Sequence, residues 1–478
     1  MDSPWLTFGF GLVYLKRQST MHAPRKTLQA FLASIAVASL SCSIQALEVP
    51  DGNAYAGKKI KALTYNSGFP LGHDSYNAMG TGSDGKIYYV LSSDKIEQGA
   101  KMFRFDPKTK RITEVGDLTE VCGEKGLKAI PQGKSHVNFV ETDGKLFFAT
   151  HVGVYSMVDG KETLGIPPSG YKAYPGGHML SYDMKTGAFQ DYGIAPNKEG
   201  VLTFNMDTRR GRMFALTWPS GIFYRYDLAK KEQKSFGKMC ADGEDGVGPT
   251  YRTVCRSIAV DLEDGSAYFT TSEGTILRYD AETDNVAPVV GEDMKKDYFG
   301  LYDPTSPGHM GYNWRQVIWR GKDRMIYGVH GNSGYLFRFD PRAPRLEVLE
   351  RITSEPSKRC GMFDQFSYGY LGFALAKDQK TLHYLTGAPI FVDGKRLAGK
   401  ASTAMGEAKG LEDLHLVTYD IEKARYQDHG AVFYPNGQRP LYVNAIALGH
   451  DGMVYTLPRI TENGKTRSDL VAFPGPLK

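Results

Sequence analysis

The chain has 478 residues, 41% hydrophobic and 23% charged, with a net charge of +5. That composition allows a globular fold with a large core. The basic excess gathers in residues 1–46, which hold Lys16, Arg17, Arg25 and Lys26 against Asp2, and no basic run or stripe points to a nucleic-acid partner.

Residues 21–46 read MHAPRKTLQAFLASIAVASLSCSIQA. A basic start, a short apolar stretch and small residues before Leu47 predict a secretory signal with Met21 as its start. Simple cleavage near Ala46 is favoured over a lipoprotein cysteine at Cys42, and the apolar stretch is too short to span a bilayer. The expectation is a secreted or periplasmic protein without stable membrane insertion. It has two parts: residues 1–46 as extension and signal, and residues 47–478 as one domain.

Within that domain a strand-turn-strand landmark recurs: DGKIYYVL, DGKLFFATH, RGRMFALTW, DGSAYFTTS, KDRMIYGVH, DQKTLHYLT and DGMVYTLPR. After each comes an aromatic residue, followed by aspartate in all repeats but the last: Phe105-Asp106, Tyr182-Asp183, Tyr226-Asp227, Tyr279-Asp280, Phe339-Asp340, Tyr419-Asp420 and a degenerate Phe473. Short strands repeating every ~40–60 residues predict an all-β propeller, here with seven blades of four antiparallel strands, A innermost to D outermost. Strand A is predicted to begin near residues 75, 135, 202, 256, 314, 369 and 443. The chain ends after the seventh strand C, so Lys59–Asn66 is predicted to close the ring as the missing outer strand.

Long segments fall between strands B and C of blade 2 (residues 157–177) and blade 6 (389–413), and between blades at 119–134, 237–254, 291–313 and 353–367. In an up-and-down blade these loops leave on one face, which is therefore the predicted functional face. At its mouth the starts of strand A read Asn77, His136, Thr203, Ser257, Arg315, Tyr370 and Asn444, with Arg256 beside them. The ends of strand B read Ser92, His151, Trp218, Ser272, His330, Gly387 and Arg459.

His136 and His151 thus share one hairpin, and opposed positions of such a pair have Cβ atoms ~5 Å apart. Imidazoles serve as acid or base near neutral pH, and guanidinium groups grip carboxylates. The aligned row holds no carboxylate, which argues against a two-carboxylate hydrolase and a calcium-dependent lactonase. Cations beside histidine or tyrosine suit β-elimination on a uronic acid: an arginine neutralises the carboxylate and a base removes the C5 proton.

Lys134–Gly153 (KSHVNFVETDGKLFFATHVG) and Pro167–Asp183 (PPSGYKAYPGGHMLSYD) resemble secreted seven-bladed propeller polysaccharide lyases of the ulvan lyase and rhamnose–glucuronate lyase type. In those families a histidine pair works at the channel mouth, and the resemblance places it at His136 and His151. The families also use a tyrosine and an arginine. The aligned blade 3 positions are Thr203 and Trp218, which supply neither, so Tyr370, Arg256 and Arg315 are the candidates from other blades. The expected catalytic set is His136, His151 and Tyr370. Arg256, Arg315, His330, Asn77, Asn444 and Trp218 are the expected substrate contacts.

Cys240 and Cys255 share one inter-blade connector, and in an oxidising compartment a disulfide between them is expected. The alternative is a zinc site of Cys240, Cys255, Cys360 and His309. Some lyases of the resembled group carry a structural metal, so a structural zinc or calcium is compatible, while none is required for catalysis. The reading is a monomeric lyase of an acidic polysaccharide or oligosaccharide. The alternatives are a non-catalytic glycan- or protein-binding propeller and a propeller glycoside hydrolase or lactonase.

Overall fold

The computed structural model describes residues 59–159, 161–359, 372–392, 395–396, 412–462 and 464–476. Tyr370, Cys360 and the expected signal lie outside them. Among the described residues no helix is long and apolar enough to cross a membrane.

Six four-stranded sheets and one five-stranded sheet succeed one another, each with its strands in the A-B-C-D order of a propeller blade. The fold is the predicted all-β seven-bladed propeller. Blade 2, for example, orders Val140–Thr142, Lys145–Ala149, His178–Asp183 and Phe189–Ile194. The N-terminal segment closes the ring as expected. Leu63–Thr64 is the outer strand of blade 7, pairing antiparallel with Val471–Ala472. Ile60–Lys61 adds in parallel to the outer strand of blade 6, opposite Val432–Phe433. Asp469 reinforces this closure, accepting hydrogen bonds from both the amide and the hydroxyl of Ser67.

The recurring aromatic-aspartate pair has a local cause. The aromatic ring ends strand C and is fully buried in Phe105, Tyr279, Phe339 and Phe473. The carboxylate that follows turns the chain toward strand D by accepting amides two or three residues on: Lys108 and Thr109 at Asp106, Lys185 and Thr186 at Asp183, Glu422 and Lys423 at Asp420. The A–B hairpin of blade 2 turns at Asp143 and Gly144, both with positive φ (51° and 73°), a geometry suited to Asp-Gly.

Two features depart from the sequence expectation. The A strands of several blades join their ladders later than predicted, at Met79, Val140, Ala259, Gly372 and Ala447. The preceding residues of blades 1, 2, 4 and 7 lie outside the ladder, and Asn77, His136, Arg256 and Asn444 among them reach the channel mouth. In addition, strand B of blade 7 ends at Thr456, and Arg459–Glu462 pairs with Lys465–Ser468 as an inserted hairpin. A similar hairpin, Tyr155–Val158 with Lys161–Leu164, stands in the long B–C segment of blade 2.

Candidate functional site

A cavity of about 430 Å³ opens at the channel mouth. The structure brings His136, His151, Arg256, Arg315, Asn77, Asn444 and Trp218 to its wall. Seven of the residues singled out in the sequence therefore share one cavity, although they come from blades 1, 2, 3, 4, 5 and 7.

The histidine pair is close but not directly opposed. His151 exchanges both backbone hydrogen bonds with Lys134, at 2.8 and 3.0 Å. His136 lies two residues on, in the stretch before the ladder resumes at Val140. Its ring stands 4.6 Å from that of His151, nearly edge-on at 72°. Burial, and then the charges of His151, Lys134, Arg256 and Arg315, hold the His136 imidazole well below its usual value. Burial followed by Lys134 and Arg256 does the same to His151. Both rings are neutral at pH 7. Among the described residues, neither His136 Nε2 nor His151 Nδ1 finds a hydrogen-bond partner.

His151 rests on the first residue of blade 3. A Cβ built on Gly200 would lie 2.1 Å from His151 Nδ1, so the close approach requires glycine there. Gly200→Ala is expected to push the imidazole out of place and to destabilise the protein by about 1–3 kcal/mol. Urea unfolding and the His151 ring resonances check this, and an unmoved ring would contradict it.

Three residues that the sequence reading passed over surround the pair. Tyr76 stacks on His136 with ring centroids 3.9 Å apart. Lys134, buried at 5% exposure, sets its ammonium over the rings of Tyr155 at 4.2 Å and Tyr76 at 4.9 Å, and donates to the Tyr76 hydroxyl at 3.4 Å. Their signal was adjacency alone: Tyr76 precedes Asn77, Lys134 precedes His136 by two residues, and Tyr155 follows His151 by four. Burial keeps the Tyr155 and Tyr442 phenols well above their usual value, so both stay protonated.

Carboxylates do reach the cavity, contrary to the expectation drawn from the aligned row. Asp74, Asp94, Glu162 and Glu244 line it, all from loops or the inserted hairpin. Two of them orient other residues. Glu244 accepts the Trp218 indole N–H at 2.8 Å and pairs with Arg256 at 2.6 Å. Asp74 holds Arg459 in a two-point ion pair, with its Oδ2 2.6 Å from Nη2, and that guanidinium lies over Tyr442 at 4.9 Å. Trp218 thus works with Arg256 across blades 3 and 4.

The row of mouth residues shifts by one in two blades. In blade 3 the ladder slips between Val201 and Thr203, making Leu202 the extra residue of a bulge. Leu202 lines the cavity, while Thr203 lines the channel below it. In blade 4 Arg256 is the mouth residue and Ser257 lies below. His330 is another correction. The loop Asp297–Phe299 covers it, the Phe299 ring stacking at 4.1 Å and 2°. His330 Nδ1 bonds Ser333 at 2.8 Å, and burial lowers its pKa to about 3. It is a core histidine outside the cavity wall.

The expected disulfide is not formed: Cys240 and Cys255 are separate thiols buried in one hydrophobic cluster. Cys255 Sγ faces the Ser257 carbonyl at 3.3 Å and Thr270 Oγ1 at 3.5 Å. His309 Nδ1 accepts the Gly311 amide at 2.8 Å. Among the described residues no group of three or more His, Cys, Asp or Glu is placed to hold a metal.

No family model matches the chain. No curated protein matches it either. Among solved structures it is similar to the extracellular domain of the putative one component system BT4673 from B. thetaiotaomicron, at 12% identity and a TM-score of 0.42, covering 84% of this chain and 39% of that one. It is also similar to a chain of the Mitotic Checkpoint Complex, at 10% identity and 0.45, covering 94% and 98%. A third is Chaetomium thermophilum Raptor, at 8% identity and 0.47, covering 89% and 30%. The chain thus spans well under two thirds of the first and third of these. The fold assignment itself rests on the chain's own seven sheets.

Proposed function

We propose that this protein is an exported lyase that cleaves a uronate-containing polysaccharide, such as one of rhamnose and glucuronate, by β-elimination. The observation that carries this reading is a neutral His136 imidazole set in a cavity among Lys134, Arg256 and Arg315. Arg315 and Arg256 receive the uronate carboxylate, which acidifies the C5 proton. His136 removes that proton, the C4–O bond breaks as the C4–C5 double bond forms, and the Tyr76 hydroxyl protonates the departing glycosidic oxygen. Lys134, donating to the Tyr76 oxygen, favours that transfer and the phenol's recovery. Tyr76 and Lys134 then fill the tyrosine and cation roles that Thr203 and Trp218 leave open.

The test is ultraviolet absorbance from new unsaturated ends on ulvan, gum arabic, pectic and glycosaminoglycan substrates. A signal on at least one is expected, and silence on all of them would defeat the reading. A second reading, a propeller that binds the glycan without cutting it, draws on the aromatic wall of Tyr76, Tyr155, Trp218 and Tyr442. Calorimetric binding without an ultraviolet signal favours it. New reducing ends without a double bond would instead favour hydrolysis by the loop carboxylates.

A further inference from the structure

Below the cavity a second space of about 390 Å³ continues down the central channel, and His136, Asn77 and Arg256 line both. What divides the two is polar. In blade 5 the ladder slips between Trp314 and Gln316, so Arg315 is the extra residue of a bulge like that of blade 3. Consecutive residues then serve consecutive levels of the channel: Arg315 faces the cavity and Gln316 the space below. Blade 3 spends the same two positions on Leu202 and Thr203, whereas blade 5 places an amide at the lower one.

Gln316 is 5% exposed, and its Nε2 donates to Asn77 Oδ1 at 3.2 Å. Asn77 Nδ2 in turn donates to the His136 carbonyl at 3.1 Å. The chain of bonds crosses from blade 5 through blade 1 to blade 2. Each end fixes the other: the Asn77 amide must turn its N–H₂ toward the His136 carbonyl, which leaves its oxygen in need of a donor, and Gln316 supplies one. His136 depends on such support. It lies between the Lys134–His151 bridge and the ladder that resumes at Val140 opposite Phe147, a stretch without ladder pairing of its own.

We propose that Gln316 is a positioning residue: from the space below, through Asn77, it fixes the main chain of His136, and so the direction in which the imidazole meets the substrate. This rests on His136 being the base. The geometric part of the claim stands apart from that role, and the test separates them.

Gln316→Met keeps the volume and removes the donor. With the polysaccharide that the wild type cleaves, kcat is expected to fall on the order of 10–100-fold with KM nearly unchanged, the signature of a misdirected base. The His136 ring, assigned through His136→Ala and followed by NMR, is expected to titrate at higher pH, because a main chain no longer fixed by Asn77 lets the ring move away from the charges of Lys134, Arg256 and Arg315. Gln316→Glu is the second variant. Its carboxylate faces the Asn77 oxygen at neutral pH and regains a donor when protonated, so its turnover should recover as pH falls, unlike that of Gln316→Met. Unchanged kcat together with an unmoved His136 titration in either variant would overturn the proposal. If the wild type cleaves no polysaccharide, the lyase reading fails, while the NMR titration still decides whether Gln316 positions His136.

Discussion

Replacing His136 with alanine is expected to lower turnover by roughly 10²–10⁴-fold, the range over which a positioned general base contributes. The unfolding midpoint should move less than for His151, because His136 as a residue is only half-buried and its loss removes ring contacts with Tyr76 and His151 alone. His151 should behave differently. It is 1% exposed, wedged against Gly200 and edge-on to Trp218 at 5.6 Å. His151→Ala is therefore expected to cost stability, by about 2–4 kcal/mol for a buried ring of this size, as well as activity. The pair can be told apart by measuring kcat and the urea midpoint for each variant. Equal activity of His136→Ala and wild type would remove His136 from the mechanism.

The electrostatics of the pair add a pH signature. A base held well below its usual value stays unprotonated as the solution becomes acidic. The acid limb of kcat/KM should accordingly lie below pH ~6.5, the ordinary imidazole range. An acid limb at or above that value would mean that His136 is not the group losing activity. Tyr155 and Tyr442 cannot stand in for it as phenolates, since burial keeps both protonated.

The repeat was legible in the sequence because its two markers do local work. In six blades the aspartate after strand C closes a turn through its own carboxylate, and the aromatic before it fills the core, so the two markers recur with the blade. The closing strand was legible for a similar reason: Lys59–Asn66 has strand character ahead of the first blade, and Leu63–Thr64 within it pairs with strand C of blade 7. The mouth was legible only to within one residue. The bulge at Leu202 shifts the side-chain count in blade 3, Arg256 takes the mouth of blade 4 in place of Ser257, and nothing in an alternating pattern marks where a strand takes an extra residue. Loop contributions were hidden altogether. Asp74 and Glu244 meet Arg459 and Arg256 through segments without periodicity, and Phe299 buries His330 from a loop that sequence spacing could not place. His151 and His330 occupy the same strand end, and the loop above decides that one lines a site and the other a core.

Stability should fall as pH rises from about 6.5 to about 9, through a network behind the site. His178 is 4% exposed, with Nδ1 donating to Asp191 at 2.8 Å and Nε2 to Glu124 at 3.0 Å. Burial by itself would lower its pKa, but the two carboxylates outweigh burial and raise it to about 9. The imidazolium is therefore bound more tightly in the folded chain than in the unfolded one, where it titrates near ~6.5. Below that pH both states carry the proton and the full contribution is present. Between 6.5 and 9 only the folded state does, so each step upward in pH favours unfolding; above 9 the contribution is gone. The span corresponds to ~3 kcal/mol. Burial also raises the neighbouring Cys122 thiol, so its ionisation in the unfolded chain near pH ~8.5 steepens the fall at the top of the interval, equally in the wild type and in His178→Gln. The network also bears on the site: Gln132 donates to Glu124 and to the Gly176 carbonyl, and the Tyr174 hydroxyl donates back to Gln132. Lys134 and His136 follow directly along that connector. The measurement is urea unfolding from pH 6 to 9.5 for the wild type and His178→Gln. The wild-type advantage should shrink steadily across that interval, and a constant difference would show that His178 carries no proton-linked stability. As the clamp on Gln132 weakens, the Lys134 ammonium loses its fixed seat over Tyr76 and Tyr155. Turnover of any polysaccharide that the wild type cleaves should decline over the same alkaline range, and His178→Gln should show the lower turnover already at neutral pH.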